Sequence, residues 1–245
     1  MGTANRGHLL EPGDDPRHRA DQALEIGPQV GSVERDACAI WWYNRARRPA
    51  IDLGSGGDPE LVAIAEAHTE LGREVALLDL RVDTGVPVVG AVAWERESGI
   101  ALPSGFGCHL DPRVAASRAL TELSQVTAVR VAAEGAPPQL ATRPQLVPRP
   151  SPAVPMDEIP DLTGADTGED LATCRRLLAA AGLEAFVLET TRAEIGVPAV
   201  RVVVPGMRPF RRRFAPGRLY DVPMALGWAA ERPTERELDR DRPFS

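Results

Sequence analysis

The chain has 245 residues, 43% of them hydrophobic, enough for one large domain with a buried core or two small ones. Its net charge of -7, with arginine the sole basic side chain besides histidine, argues against a general binder of nucleic acid or of an anionic membrane surface. No apolar run approaches the roughly 18 residues of a membrane span, and residues 1–30 are polar and charged, unlike a secretory signal, so a cytoplasmic protein is expected.

Residues 1–20 carry Gly, Pro and charge without periodicity and read as a disordered lead-in, with 21–245 as the domain. From Ser32, the stretch SVERDACAIWWYN predicts a helix: Ser32 serves as N-cap, and Val33, Ala37, Ile40 and Trp41 line one side. Just upstream, Gly27, Pro28 and Gly31 each weaken a helix. DPELVAIAEAHTELG predicts a helix capped by Asp58, with Pro59 in its first position and its end near Gly72. EVALLDLRVD and VPVVGAVAWE then read as strands. Gly105 and Gly107 read as a turn feeding a helix over 112–130, with Asp111 as cap and Pro112 as its first residue. A proline-dense loop is expected over 135–160. EDLATCRRLLAAAG follows as a helix, EAFVLETT and VPAVRVVVP as strands, and 206–245 as an irregular tail.

An internal repeat runs through this pattern. GREVALLDLRVDTGVPVVGAV, from Gly72, aligns with GLEAFVLETTRAEIGVPAVRVV, from Gly182, with one residue inserted before the second Gly-Val-Pro. A helix, strand, turn, strand unit used twice points to a single α/β domain with internal pseudo-symmetry. Each Gly-Val-Pro turn invites its two strands to pair antiparallel, so a mixed sheet is expected.

Cys38, Cys108 and Cys174 are isolated and show no metal-ligand spacing, so free thiols are expected. Cys108 beside His109 resembles a nucleophile and base only in one dimension. Adjacent residues seldom point the same way, and no third orienting group is evident.

In the helix after Asp111, Arg118, Glu122 and Gln125 stand at i, i+4 and i+7, one stripe, while Val114, Leu120 and Leu123 serve its packing sides. Such a stripe is commonly a solvated face. The Asp111 carboxylate already occupies the helix N-terminal donors and repels phosphate, which excludes a P-loop or Rossmann cradle. A nucleotide here is instead held by side chains, through carboxylate-bound magnesium and through guanidinium groups.

Three ordered segments, VERDACAIWWYNRARRPAIDL, SGFGCHLDPRVAASRALTELSQ and RPFRRRFAPGRLYDVPMALGW, resemble the YcaO family, in particular its cyclodehydratases, and the likeness covers residues 30–245. The resemblance implies an unusual ATP-binding fold with ATP and Mg2+ as cofactors. It implies formation of thiazoline and oxazoline rings on Cys, Ser and Thr of a ribosomal precursor peptide, as in bacteriocin maturation, with a separate leader-peptide-binding partner. By position, Glu122 and Gln125 match the family's Glu-x-x-Gln motif, and Glu34 and Arg35 its Glu-Arg pair. Glu34 and Glu122 are then the magnesium ligands, and Arg35 and Arg118 contact phosphate or orient those carboxylates.

The chain also departs from the family pattern. Gly31 stands where the family has a second glutamate three residues before the Glu-Arg pair, and the lead-in stands in place of a family half-domain, so a separately encoded N-terminal half is an expected partner. A non-catalytic remnant or binding subunit, and a thioamide- or amidine-forming enzyme, are the alternatives. Arg208, Arg211, Arg212 and Arg213 read as a solvated basic loop.

Overall fold

The computed structural model describes residues 16–54, 58–134, 146, 152–192 and 194–239. Helix α1 spans Pro16–Tyr43, strand β1 Ile51–Asp52, helix α2 Pro59–Glu70, and strands β2 and β3 Arg73–Asp79 and Val88–Glu95. Strand β4 (Gly105–Cys108) and helix α3 (Pro112–Glu134) follow, then the short β5 (Val154–Pro155) and a single 3-10 turn at Met156–Glu158. Helix α4 (Thr167–Ala180), strands β6 (Phe186–Glu189) and β7 (Val200–Val203), and helices α5 (Arg218–Ala225) and α6 (Glu235–Leu238) complete the order.

The chain is a mixed α/β fold built in layers. Strands β2, β3 and β4 form an antiparallel sheet in that order. Alternation along its strands feeds two cores. Leu77, Val89, Ala91 and Ala93 face α2 and α3, meeting Leu61, Ala115, Ala119 and Leu123. Leu78, Val88, Val92 and Cys108 face the other way, into a core with Val33, Ala37, Ile40 and Trp41 of α1. Helices α1 and α4 pack together, and α1 also meets β7. Strands β6 and β7 form a separate antiparallel pair whose Val202 joins the α1 core.

Several expectations change. Helix α1 starts at Pro16 and runs through Gly27, Pro28, Gly31 and Ser32, so Ser32 is an interior residue, and the lead-in ends sooner than residue 20. Two glycines and a proline cost about 1 and 3 kcal/mol each relative to alanine. Burial between two sheets outweighs that cost: Val30, Val33, Ala37, Ile40 and Trp41 are all buried. The first 15 residues lie outside the described residues, as does most of the proline-rich stretch before 152. The single mixed sheet is replaced by separate sheets. Among the described residues, their one parallel ladder is the two-residue pair of β1 with β5, reached from β2 by a bridge at Ala50 and Leu78. The tail is not wholly irregular, since α5 and α6 lie in it and Leu219, Val222 and Leu238 enter the α1 core.

The glycine segment is a strand rather than a turn, and its glycines have a packing reason. A Cβ on Gly105 would lie 2.2 Å from the Ala119 carbonyl oxygen, and one on Gly107 2.0 Å from that of Ala115. Only glycine lets β4 lie this close to the backbone of α3. Asp111 caps α3 as expected, accepting the Arg113 N–H at 2.8 Å.

Candidate functional site

Strand β4 is the edge of its sheet, so its outward backbone donors need partners. Two carboxylates supply them. Glu122 of α3 accepts the Phe106 N–H at 2.5 Å, and Glu34 of α1 accepts the Cys108 N–H. Arg118 Nη1 donates to the Cys108 carbonyl at 3.0 Å. The glycine-enabled contact between β4 and α3 thus fixes Glu122 beside the strand, and α1 brings Glu34 to the same edge.

These side chains line one cleft of about 430 Å³, whose walls are Glu34, Phe106, Ser117, Arg118, Thr121, Glu122 and Gln125. The Phe106 ring stands edge-on to Trp41 at 5.8 Å, tying the cleft to the α1 core. Of the residues singled out in the sequence, Glu34, Arg118, Glu122 and Gln125 come together here. Arg35 does not line the cleft; its guanidinium lies 3.4 Å from the Ser32 hydroxyl, although its charge still reaches Glu34. Ser117 and Thr121 were missed, although they occupy the same stripe of α3 as Arg118 and Gln125, a signal the spacing carried.

Burial pushes the Glu34 carboxyl above its usual range, and the nearby Glu122 charge pushes it further, against the pull of Arg35, Arg118 and the Cys108 N–H. A cation bound between the two carboxylates would relieve that repulsion. The donor set is hard oxygen, without thiol or imidazole, which suits Mg2+. Mg2+ characteristically takes one or two protein carboxylates and completes its shell with water and phosphate oxygens, so Glu34 and Glu122 fit that ion as a pair. Among the described residues no cluster of three or more candidate ligands exists. Gly31, one turn before Glu34, leaves open space there: a Cβ would meet only the Arg35 guanidinium at 3.5 Å.

Cys108 is fully buried, and burial pushes its thiol well above its usual range, the Glu34 charge adding to it, so it is not poised as a thiolate nucleophile. His109 Nδ1 accepts the Asp111 N–H at 3.0 Å, and burial, helped by Arg118, lowers its pKa. It is therefore a neutral brace of the α3 entry. All three cysteines are free and buried.

Behind the cleft lies a network that sequence reading missed. Arg218 of α5 forks between two carboxylates, Nη2 standing 2.7 Å from Asp36 and 2.6 Å from Asp83. Asp36 is fully buried, two residues after Glu34, and also accepts the Arg208 N–H at 2.8 Å. Burial pushes its carboxyl up, while Arg218 pulls it back. The tail thereby clamps α1 at the turn that carries Glu34. In the basic loop, Arg211, Arg212 and Arg213 are exposed, and Arg212 pairs with Asp239 at 2.5 Å.

The chain is similar in structure to the heterocyclase TruD, with a TM-score of 0.84 and 36% identity over 91% of this chain and 33% of that one. A structure titled as a heterocyclase in complex with substrate and cofactor matches at TM-score 0.81 and 37% identity, over 91% of this chain and 32% of that one. YcaO from Methanopyrus kandleri, bound with AMPPCP and Mg2+, matches at TM-score 0.63 and 27% identity, over 77% of this chain and 53% of that one. An uncharacterised Methanothermobacter thermautotrophicus protein is 35% identical over 73% of this chain. The chain spans about half the length of the curated relatives it matches, 50% and 47%. No helix among the described residues is long and apolar enough to cross a membrane. The sequence model of the YcaO cyclodehydratases, a family that binds ATP and Mg2+, matches residues 32–208, and the chain belongs to that family.

Proposed function

We propose that this chain is an ATP-dependent cyclodehydratase component acting in the cytoplasm on a ribosomal precursor peptide, closing Cys, Ser or Thr onto the preceding backbone amide. The observation that carries the reading is the facing pair Glu34 and Glu122, brought from two helices to one strand edge beside Arg118 and Gln125.

An amide oxygen is a poor leaving group. When bound, ATP with Mg2+ supplies the phosphoryl group for that oxygen after the substrate thiol or hydroxyl has added to the carbonyl; phosphate then departs and the nitrogen loses its proton to give the C=N bond. Glu34 and Glu122 hold the metal, and the N–H groups of Cys108 and Phe106 orient their carboxylates. Arg118, tethered to the Cys108 carbonyl, keeps its remaining donors for phosphate oxygens, and Gln125 offers an amide further along the same wall. Arg35 acts at longer range by balancing the charge of Glu34. A leader-binding protein is the proposed partner.

The test is a reconstituted reaction with a Cys- and Ser-rich precursor and that partner, read by mass spectrometry as loss of water and by phosphate release. Ring formation that vanishes in Glu122→Gln supports the reading. Nucleotide binding without phosphate release or loss of water supports a binding subunit instead, the second reading, which the open space at Gly31, where the family has a further glutamate, favours.

A further inference from the structure

The internal repeat holds down to its strand register. Ala76, Leu77, Leu78 and Asp79 pair with Val92, Ala91, Gly90 and Val89 in the first copy. Phe186, Val187, Leu188 and Glu189 pair with Val203, Val202, Arg201 and Val200 in the second, position for position. What covers the two copies differs. Ala76, Leu78 and Val92 pack into the core beneath α1. Their counterparts Phe186, Leu188 and Val203 are 48%, 48% and 44% exposed.

The opposite face of the second copy is covered along β7, where Val202 and Val204 pack with Ala185 against the core shared by α1 and α4, while Val187 beside them is 36% exposed. The layers therefore run helix, sheet, helix, sheet, and then stop on an apolar surface. A sheet that keeps one face in water alternates apolar with polar residues; a sheet apolar on both faces is one covered on both. Ile195 and Val197 are also exposed, in the turn between the strands. A contiguous apolar surface of this kind marks an interaction site.

Charge narrows what fits. Where the first copy has Gly90, the second has Arg201, exposed opposite Leu188. The strands carry no carboxylate on this face, because Glu189 alternates to the other. A second copy of the chain laid face to face brings Arg201 towards Arg201, which repels. A covering element with a carboxylate inside its apolar stripe satisfies both the patch and the charge.

We propose that the outer face of β6 and β7 docks an amphipathic helix of a partner polypeptide, as α1 covers the equivalent face of the first copy, with an acidic residue of that helix paired to Arg201. The proposal stands apart from the nucleotide reading, since none of these residues lines the cleft.

The test is fluorescence anisotropy of the full chain with a labelled synthetic helical peptide of about five turns. The peptide carries leucines at helical spacing and one glutamate in the stripe, and a control peptide has lysine at that position. The glutamate peptide is expected to bind about tenfold tighter than the lysine peptide, and Arg201→Glu to reverse the preference. Leu188→Ser weakens both, with an unchanged thermal midpoint because the residue is already half exposed. Equal binding of the two peptides, indifference to Arg201→Glu, or a monomer that binds neither overturns the proposal. So does a dimer that Leu188→Ser dissociates, which assigns the face to a second copy.

Discussion

At the scale of single residues, the functional chemistry rests on where a carboxylate or an imidazole is allowed to be charged. His68 illustrates the logic away from the cleft. Ser124 donates to the Leu120 carbonyl, so it accepts from His68 Nε2–H at 2.9 Å, and the ring is neutral with Nδ1 buried and unpartnered. Burial lowers its pKa, and the neighbouring Arg73 adds to the effect. An unfolded histidine titrates near about 6.5, so below that pH the unfolded chain binds more protons than the folded one and stability is lost. His109, also lowered, contributes to the same acid limb. His68→Gln is expected to flatten part of that limb in thermal melts between about pH 6.5 and 5, with little change at pH 8. An unaltered profile contradicts the assignment.

The network around Arg218 makes a sharper prediction. Removing Arg218 leaves Asp36 fully buried and uncompensated. Arg218→Met is expected to destabilise the protein by about 3–5 kcal/mol in urea titration, and Arg218→Lys fails to rescue it, because an ammonium cannot fork between Asp36 and Asp83. Full rescue by lysine would show that only the charge matters.

At the scale of elements, the strongest signals in the sequence were those with local causes. Asp58 and Asp111 cap their helices through their own side chains, and the repeat predicted two antiparallel hairpins that the structure forms. The failures share a physical origin. Gly105 and Gly107 have the look of a turn in one dimension, and only the proximity of α3 shows that they are a strand pressed against helix backbone. Pro28 and Gly31 read as helix breakers, and only burial of α1 between two sheets overrides them. The cleft was legible in part, because the stripe of Arg118, Glu122 and Gln125 follows from helical spacing. Glu34 was reached only through the family resemblance, and the Asp36 to Arg218 link, which spans 182 residues, depends on tertiary contacts that spacing does not encode.

The close approach of β4 to α3 can be tested directly. Gly107→Ala places a Cβ against backbone that cannot yield by a rotamer change, so it is expected to cost about 1–3 kcal/mol or more and to loosen Glu122 from Phe106. Urea unfolding with a parallel Mg2+ titration reads both effects. Ordinary stability with weakened metal response would place the strain on the cleft alone.

At the scale of the whole molecule, the layers divide into a well-covered half and an open one. The sheet of β2 to β4 lies between α2 and α3 on one side and α1 on the other, and the cleft opens at its β4 edge. The β6 and β7 layer is covered on one face only, so its amides are expected to exchange with solvent faster than those of β2 and β3. Hydrogen exchange that protects Leu188 as strongly as Leu78 would contradict that layering.

We propose that Glu34 and Glu122 together hold magnesium for a nucleotide. Titration calorimetry with Mg2+ and a non-hydrolysable ATP analogue tests it most directly, on the wild-type chain, Glu34→Gln and Glu122→Gln. The wild type is expected to bind and each variant to weaken binding by about tenfold or more, with both keeping a folded thermal transition. A wild type that binds nothing, or variants that bind as tightly as it does, contradicts the account.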